Sequence, residues 1–62
     1  MMLLAIDVGN TNIKLGLFSG GRLINSWRLA TDRSKTGDEY GVALQALLMS
    51  AGLKRGDIDG VI

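Results

Sequence analysis

The distribution of apolar and polar residues predicts three strands in the first half of the chain. The first covers Met2–Val8, which is apolar at nearly every position, as expected for a strand that is covered on both faces. The second runs from about Ile13 to Phe18, where every other residue is aliphatic, so one face is uniformly apolar. The third spans about Leu23–Ala30. Four of its residues share one side of the strand: Leu23, Asn25, Trp27 and Leu29.

A helix is predicted after the third strand. Thr36 and Glu39 have the spacing of a capping box, in which each side chain bonds the backbone N–H of the other residue. Gly52 is a candidate for a left-handed helix cap, with Leu53 placed for the hydrophobic contact that accompanies such a cap. Between these ends, six apolar residues recur at i, i+3 and i+4 spacing: Tyr40, Ala43, Leu44, Leu47, Leu48 and Ala51.

The turns and the end of the chain complete an α/β pattern. Turns that contain glycine join the three strands, which makes them antiparallel neighbours. A polar loop, Lys54–Gly60, leads to Val61 and Ile62, where another strand begins. The predicted order is β-β-β-α-β, with three antiparallel strands, a crossover helix and a last strand that returns parallel to the sheet. We expect the chain to be the front part of a longer protein; a short edge strand that ends the chain is the alternative.

Composition narrows the class of protein. Sixty-two residues make one small domain at most, and a chain of this size buries only roughly 60% of its unfolded surface. The apolar fraction of 47% is typical of a globular sequence, and the absence of Cys and His excludes disulfides and Cys/His zinc sites. A net charge of +1 gives no case for a nucleic-acid partner. No apolar run is long enough to span a bilayer, so we expect no membrane partner. We expect a cytoplasmic protein, and the absence of Cys is compatible with that reducing compartment.

The candidate chemistry lies between Asp7 and Lys14. Asp7 interrupts an otherwise apolar strand one step before its end, and Gly9 has no Cβ that would keep a ligand away from the backbone. Lys14 places a positive charge on the returning strand. Three residues of the turn add amide and hydroxyl groups: Asn10, Thr11 and Asn12. An acid for a metal, a small loop lined with donors and a nearby cation are the parts of a phosphate site.

These residues resemble the first phosphate loop of the superfamily that contains acetate and sugar kinases, chaperone ATPases and actin. The run Ile6–Lys14 is most similar to the type III pantothenate kinases, in which an aspartate-valine-glycine-asparagine-threonine sequence is followed by a lysine three residues later. Thr36–Tyr40 resembles the threonine-x-aspartate-glutamate-tyrosine segment that starts the first helix of this family, and Trp27–Thr31 resembles the end of its third strand. The resemblance covers essentially the whole chain.

The resemblance implies a fold and an activity. The fold is the ribonuclease H-like domain of the actin-like ATPases, with residues 1–62 forming the N-terminal part of the first domain. The activity is ATP-dependent phosphorylation of pantothenate to 4′-phosphopantothenate, the first step of coenzyme A biosynthesis, by a homodimer that needs Mg²⁺ and a monovalent cation, K⁺ or NH₄⁺. The general base and the pantothenate pocket of the family lie beyond the position of Ile62, so we expect these residues alone to be inactive.

The resemblance also implies roles for individual residues. Lys14 stabilises charge on the transferred phosphoryl group, and Asp7 helps to hold Mg²⁺ through water. Four residues of the loop cradle the ATP phosphates: Gly9, Asn10, Thr11 and Asn12.

Each of these residues also has a plainer interpretation. Asp7 can cap the hairpin, Lys14 can be an ordinary exposed lysine, and Asn10 and Thr11 are common turn residues. For the other charged residues of interest we expect solvated positions: Arg28, Arg33, Lys35, Asp57 and Asp59. The remaining candidates are expected to be structural, with Glu39 a helix cap, Tyr40 a core residue and Trp27 a packing residue.

Two other functions remain open at this point. One is a non-catalytic relative that acts as an accessory factor in transcription and keeps the same loop, although the sequence has no basic stripe for nucleic acid. The other is a kinase of the same superfamily that acts on another small molecule, because the substrate residues lie beyond this chain. A fragment with no activity of its own is the plainest alternative.

Overall fold

The computed structural model describes residues 1–62 and contains one four-stranded sheet with one helix. The elements are β1 (Met2–Val8), β2 (Asn12–Ser19), β3 (Arg22–Ala30), helix α1 (Gly37–Ser50), a 3₁₀ turn (Arg55–Asp57) and β4 (Gly60–Val61). The strands lie in the order β3-β2-β1-β4, with the first three antiparallel and β4 parallel to β1. The predicted α/β class and the β-β-β-α-β order are therefore confirmed.

The turn between β2 and β3 explains why the sequence has two consecutive glycines there. Gly20 and Gly21 have φ angles of +57° and +83°, in the left-handed region that other residues rarely adopt. Positive φ at both central residues of a two-residue hairpin matches the natural twist of the flanking strands. The turn therefore fixes how β2 and β3 begin to pair.

One prediction about β3 is wrong. The register between β2 and β3 shifts after Leu17, so that Leu17 pairs with Asn25 while Phe18 pairs with Leu23. This bulge places one extra residue, Ile24, in β3 and turns Leu23 to the side opposite Asn25. The side of β3 that faces the helix therefore carries Asn25, Trp27 and Leu29 but not Leu23.

The core lies between α1 and one face of the sheet. Its buried residues come from both layers: Leu4, Ile13, Leu15, Leu17 and Leu48. The six residues of the predicted helical stripe are all buried or half-buried, which confirms the face that α1 presents to the sheet. The single helix covers only one face of β1, so the expectation that β1 is covered on both faces stays a prediction. We call the other side of the sheet the open face.

Both helix ends are formed as predicted. The Thr36 hydroxyl accepts from the Glu39 N–H at 3.2 Å, and the Glu39 carboxylate accepts from the Thr36 N–H at 2.9 Å, which completes the capping box. At the other end Gly52 has a φ of +78°, and its N–H donates to Met49. The Leu53 N–H donates to the Leu48 carbonyl at 2.9 Å, which completes a Schellman motif. The helix is too short to cross a lipid bilayer.

Loss of the capping hydroxyl is expected to weaken the fold by a measurable amount. Replacing Thr36 by Ala removes the acceptor for the Glu39 N–H, which lowers the free energy of unfolding by about 1 kcal/mol. Urea unfolding followed by circular dichroism measures this loss. Thr36→Ser keeps the hydroxyl and is the matched control, so equal losses in both variants would contradict the capping explanation.

Candidate functional site

The loop that joins β1 to β2 lies at one end of the sheet and is closed by its own backbone. The Gly9 N–H donates to the Asn12 carbonyl at 2.9 Å, and the Asn12 amide donates to the Thr11 hydroxyl at 3.2 Å. Gly9, Asn10 and Thr11 are exposed, whereas Asn12 is half-buried as the first residue of β2. None of the hydrogen bonds of the loop uses the Asp7 carboxylate, so the structure gives no support to Asp7 as a hairpin cap.

Glycine at position 9 is needed by the loop itself. The backbone of Gly9 is not in the left-handed region, so backbone conformation does not explain the glycine. A Cβ at this position would lie 3.0 Å from the Asn12 carbonyl oxygen, which is too close for a backbone atom that cannot move aside. The sequence suggests room for a ligand at Gly9. The structure adds a second reason for glycine at this position, which is the close approach of the Asn12 carbonyl.

Asp7 and Lys14 meet across the first hairpin. They are directly paired in the antiparallel register of β1 and β2, and Lys14 is in turn paired with Arg28 on β3. The three residues therefore form one row across the open face, and all three are exposed. Residues directly opposite each other in a sheet have Cβ atoms about 4.5–5.5 Å apart, within reach of a shared ligand. The predicted acid and cation of the phosphate site are thus brought together by strand register.

Two positive charges stand next to each other in this row. Like charges directly opposite on neighbouring strands are destabilising, by roughly 0.2–1 kcal/mol on the scale of cross-strand pairs. Asp7 offsets part of this repulsion from the other side of Lys14. Arg28 is exposed, as expected from the sequence, and it adds a second cation beside the predicted one. The row therefore has a net positive charge, which suits an anionic ligand.

A shallow hollow of about 450 Å³ lies on the open face beside this row. Its floor is formed by three small residues that are neighbours across the strands, Ala5, Gly16 and Ser26. Asp7 and Lys14 line one end of the hollow. Phe18 and Leu23 line the other end, where the bulge in β3 has placed Leu23.

The segment after β3 holds the loop in place, which the sequence did not reveal. The Thr31 hydroxyl donates to the Gly9 carbonyl at 2.8 Å, and the Thr31 N–H donates to the Thr11 carbonyl at 3.0 Å. The Arg33 guanidinium lies 3.4 Å from the Asn10 side-chain oxygen, so Arg33 is exposed but not simply solvated. The only sequence signal for these contacts is that Thr31 directly follows β3, whose end pairs with the start of β2.

Asp32 is fixed within the same segment. Its carboxylate accepts from the Ser34 hydroxyl at 2.6 Å and from the Ser34 N–H at 3.0 Å, and these two bonds hold the pKa of Asp32 below its ordinary value. Because the folded-state pKa lies below the unfolded one, the bonds stabilise the fold above the unfolded pKa. Their contribution is lost as the pH falls through the folded-state pKa.

The carboxylates of the chain suit a metal ion that binds together with a phosphate ligand. No three His, Cys, Asp or Glu side chains lie close enough together to hold a metal ion. Asp7 is the carboxylate beside the loop, and Mg²⁺ is commonly bound by one or two carboxylates together with water and substrate phosphates. Two other carboxylates accept backbone N–H groups instead, that of Asp57 from Lys54 at 3.0 Å and that of Asp59 from Met2 at 2.7 Å. The donor set at Asp7 therefore suits a magnesium–nucleotide complex.

Comparison with known proteins identifies the family. Residues 3–62 match the family model described as type III pantothenate kinase. Proteins named type III pantothenate kinase from Pelobacter propionicus, Sphingopyxis alaskensis and Moorella thermoacetica are 54%, 57% and 57% identical to this chain over 61 residues, which cover 98% of it. The chain spans 23–24% of the length of these relatives. With its phosphate-type loop between β1 and β2, this chain belongs to the type III pantothenate kinase family.

Proposed function

We propose that these residues are the N-terminal part of the first actin-like ATPase domain of a longer enzyme that phosphorylates pantothenate with ATP. The product would be 4′-phosphopantothenate, the first intermediate on the route to coenzyme A. The observation that carries the proposal is the direct pairing of Asp7 with Lys14 beside a loop of exposed donors. Membership of the family over residues 3–62 supports pantothenate as the phosphoryl acceptor, because the relatives are named as pantothenate kinases.

Each residue of the site has a role in this reaction. The loop from Gly9 to Asn12 binds the ATP phosphates through backbone N–H groups and through the side chains of Asn10, Thr11 and Asn12. Lys14 lies one strand away from Asp7 and neutralises charge on the phosphoryl group as it transfers. Asp7 would hold Mg²⁺ through water, and the ion supplies charge neutralisation on the phosphate oxygens. Positioning and charge account for most of what phosphoryl transfer requires.

The remaining features of the enzyme follow from its family. We propose a homodimer in the cytoplasm that uses a monovalent cation, K⁺ or NH₄⁺, and has neither a nucleic acid nor a membrane as partner. The general base and the pantothenate pocket belong to residues after Ile62. The 62 residues alone therefore bind phosphate weakly and do not turn over.

The proposal is tested on the full-length protein. Titration calorimetry measures binding of ATP with Mg²⁺ and of pantothenate, and a coupled assay measures phosphorylation of pantothenate. Binding of both ligands with turnover is the expected result. Binding of ATP without phosphorylation of any alcohol would instead favour an accessory relative, and turnover with another small alcohol would favour a kinase of different specificity. Absence of ATP binding would overturn the proposal.

A further inference from the structure

We propose that Thr31 and Tyr40 are positioning residues that hold the phosphate loop in the shape that binds ATP. This inference rests on the proposed function and adds to it two residues that touch neither nucleotide nor metal. The segment from Thr31 to Tyr40 is called the brace below. The brace connects the first turn of α1 to the loop through a series of hydrogen bonds.

The first connection joins the brace to the loop. Thr31 makes two bonds to the loop, one from its hydroxyl to the Gly9 carbonyl at 2.8 Å and one from its N–H to the Thr11 carbonyl at 3.0 Å. Thr31 is half-buried, whereas Gly9 and Thr11 are exposed. No other hydrogen bond of the loop reaches the carbonyl of Gly9 or of Thr11, so these two bonds fix the direction of both carbonyl groups.

The direction of the loop carbonyls determines whether the loop attracts or repels an anion. Gly9 and Thr11 point their carbonyl oxygens at Thr31, and the backbone N–H groups of Asn10 and Thr11 make no hydrogen bond within the protein. A phosphate is attracted by free N–H groups and repelled by carbonyl oxygens. If the peptide units of the loop rotated, carbonyls would face the phosphates instead. Thr31 therefore keeps the loop in its anion-binding orientation.

The second connection joins the brace to the helix. The Tyr40 hydroxyl donates to the Asp32 carbonyl at 2.9 Å and accepts from the Asp32 N–H at 2.7 Å. Both backbone groups of the residue after Thr31 are thus held by one side chain. The Asp32 carbonyl also accepts from the Lys35 N–H at 3.1 Å, whereas the Asp32 N–H has no partner other than the Tyr40 hydroxyl. Removal of that hydroxyl therefore frees the N–H of the residue next to Thr31.

Three features define the surroundings of Tyr40. Its ring lines an apolar cavity of about 300 Å³ between α1 and the sheet, formed with residues such as Ile6, Val8 and Leu44. The Lys35 ammonium lies 5.6 Å from the centre of the ring, in cation–π range. The capping box fixes the helix turn from which Tyr40 projects. The position of the helix is therefore transmitted to the loop through Tyr40, Asp32 and Thr31.

The test uses variants of the full-length protein that remove one hydroxyl each. Thr31→Val keeps the shape of the side chain, and we expect it to raise the KM for ATP and the Kd for ATP with Mg²⁺ by about 10-fold, as for one lost hydrogen bond. Tyr40→Phe keeps the ring and is expected to raise both constants by roughly 3- to 10-fold. The KM for pantothenate stays unchanged in both variants, because the brace contacts only the ATP loop.

Matched controls separate positioning from general stability. Thr31→Ser restores the hydroxyl and is expected to restore ATP affinity. Ser50→Ala removes a comparable bond, from the Ser50 hydroxyl to the Leu47 carbonyl at 2.6 Å, at the far end of α1. It is expected to leave the KM for ATP unchanged. The double variant Thr31→Val/Tyr40→Phe is expected to raise the KM by less than the product of the single effects, because both residues act through one chain of contacts.

The outcomes distinguish this inference from the proposed function. Wild-type ATP affinity and KM in both Thr31→Val and Tyr40→Phe, in a protein that phosphorylates pantothenate, would overturn the brace alone. Failure of the wild-type protein to bind ATP with Mg²⁺ would overturn both. If the wild-type protein binds ATP but does not phosphorylate pantothenate, the Kd values for ATP with Mg²⁺ still test the brace. Weaker binding in the two variants would support it, and unchanged binding would overturn it.

Discussion

Replacement of Lys14 by Ala in the full-length protein is expected to lower kcat by about 100- to 1,000-fold, the cost of removing one preorganised group that stabilises transition-state charge. Lys14 is exposed and lies on the open face, outside the apolar core. The free energy of unfolding is therefore expected to change by no more than about 0.5 kcal/mol. Loss of the repulsion between Lys14 and Arg28 offsets the loss of attraction to Asp7. The measurement is steady-state kinetics beside urea unfolding.

Two control variants make the Lys14 result specific. Lys54→Ala removes another exposed lysine, which lies in the loop after α1, and it is expected to leave kcat unchanged. Lys14→Arg keeps the positive charge but replaces the compact ammonium group by a planar guanidinium, so partial activity is expected. A near-normal rate for Lys14→Ala would remove this residue from the mechanism.

Replacement of Asp7 by Asn is expected to remove turnover that depends on Mg²⁺. The amide keeps the size and one acceptor oxygen of the carboxylate but loses the charge that attracts the ion. The apparent affinity for Mg²⁺ is expected to fall by about 10- to 100-fold or more, as for other residues that hold a metal through its bound ligands. Titration of activity with Mg²⁺ at saturating ATP measures this change.

The control for Asp7 is another exposed acid. Asp57→Asn changes the 3₁₀ turn after α1, outside both the loop and the brace, and is expected to leave the Mg²⁺ titration as in the wild type. An unchanged metal dependence in Asp7→Asn would show that Asp7 has no metal role. Because no hydrogen bond of the loop uses its carboxylate, a cap role would then also lack a structural basis.

Local patterns predicted most of the fold. The strands, the helix stripe and both helix ends follow from residue periodicity and from caps that act over three to five residues, such as Thr36 with Glu39 and Leu48 with Leu53. The exception within a strand is Leu23, because a bulge adds a residue to β3 and reverses the alternation beyond it. Strict alternation cannot show where pairing with a neighbouring strand slips by one residue.

The site was predictable only in part. Asp7 and Lys14 are seven positions apart, and a hairpin centred on the loop necessarily brings them opposite each other. Thr31 reaches Gly9 across 22 positions, and Tyr40 acts through the backbone of Asp32. Such contacts depend on how β3 and α1 are placed relative to the loop, which neither periodicity nor composition encodes. The supporting residues therefore required the structure, whereas the residues that are predicted to face the phosphates follow from the sequence.

The position of β1 in the sheet has a mechanical consequence. β1 lies between β2 and β4, and the residue before Asp7 donates its N–H to the Ile62 carbonyl at 2.9 Å. The backbone that carries the acid is thus bonded on both flanks and shares the displacement of its neighbours. Bending β1 alone would break these bonds, so the acid keeps its place in the sheet when a ligand binds beside it.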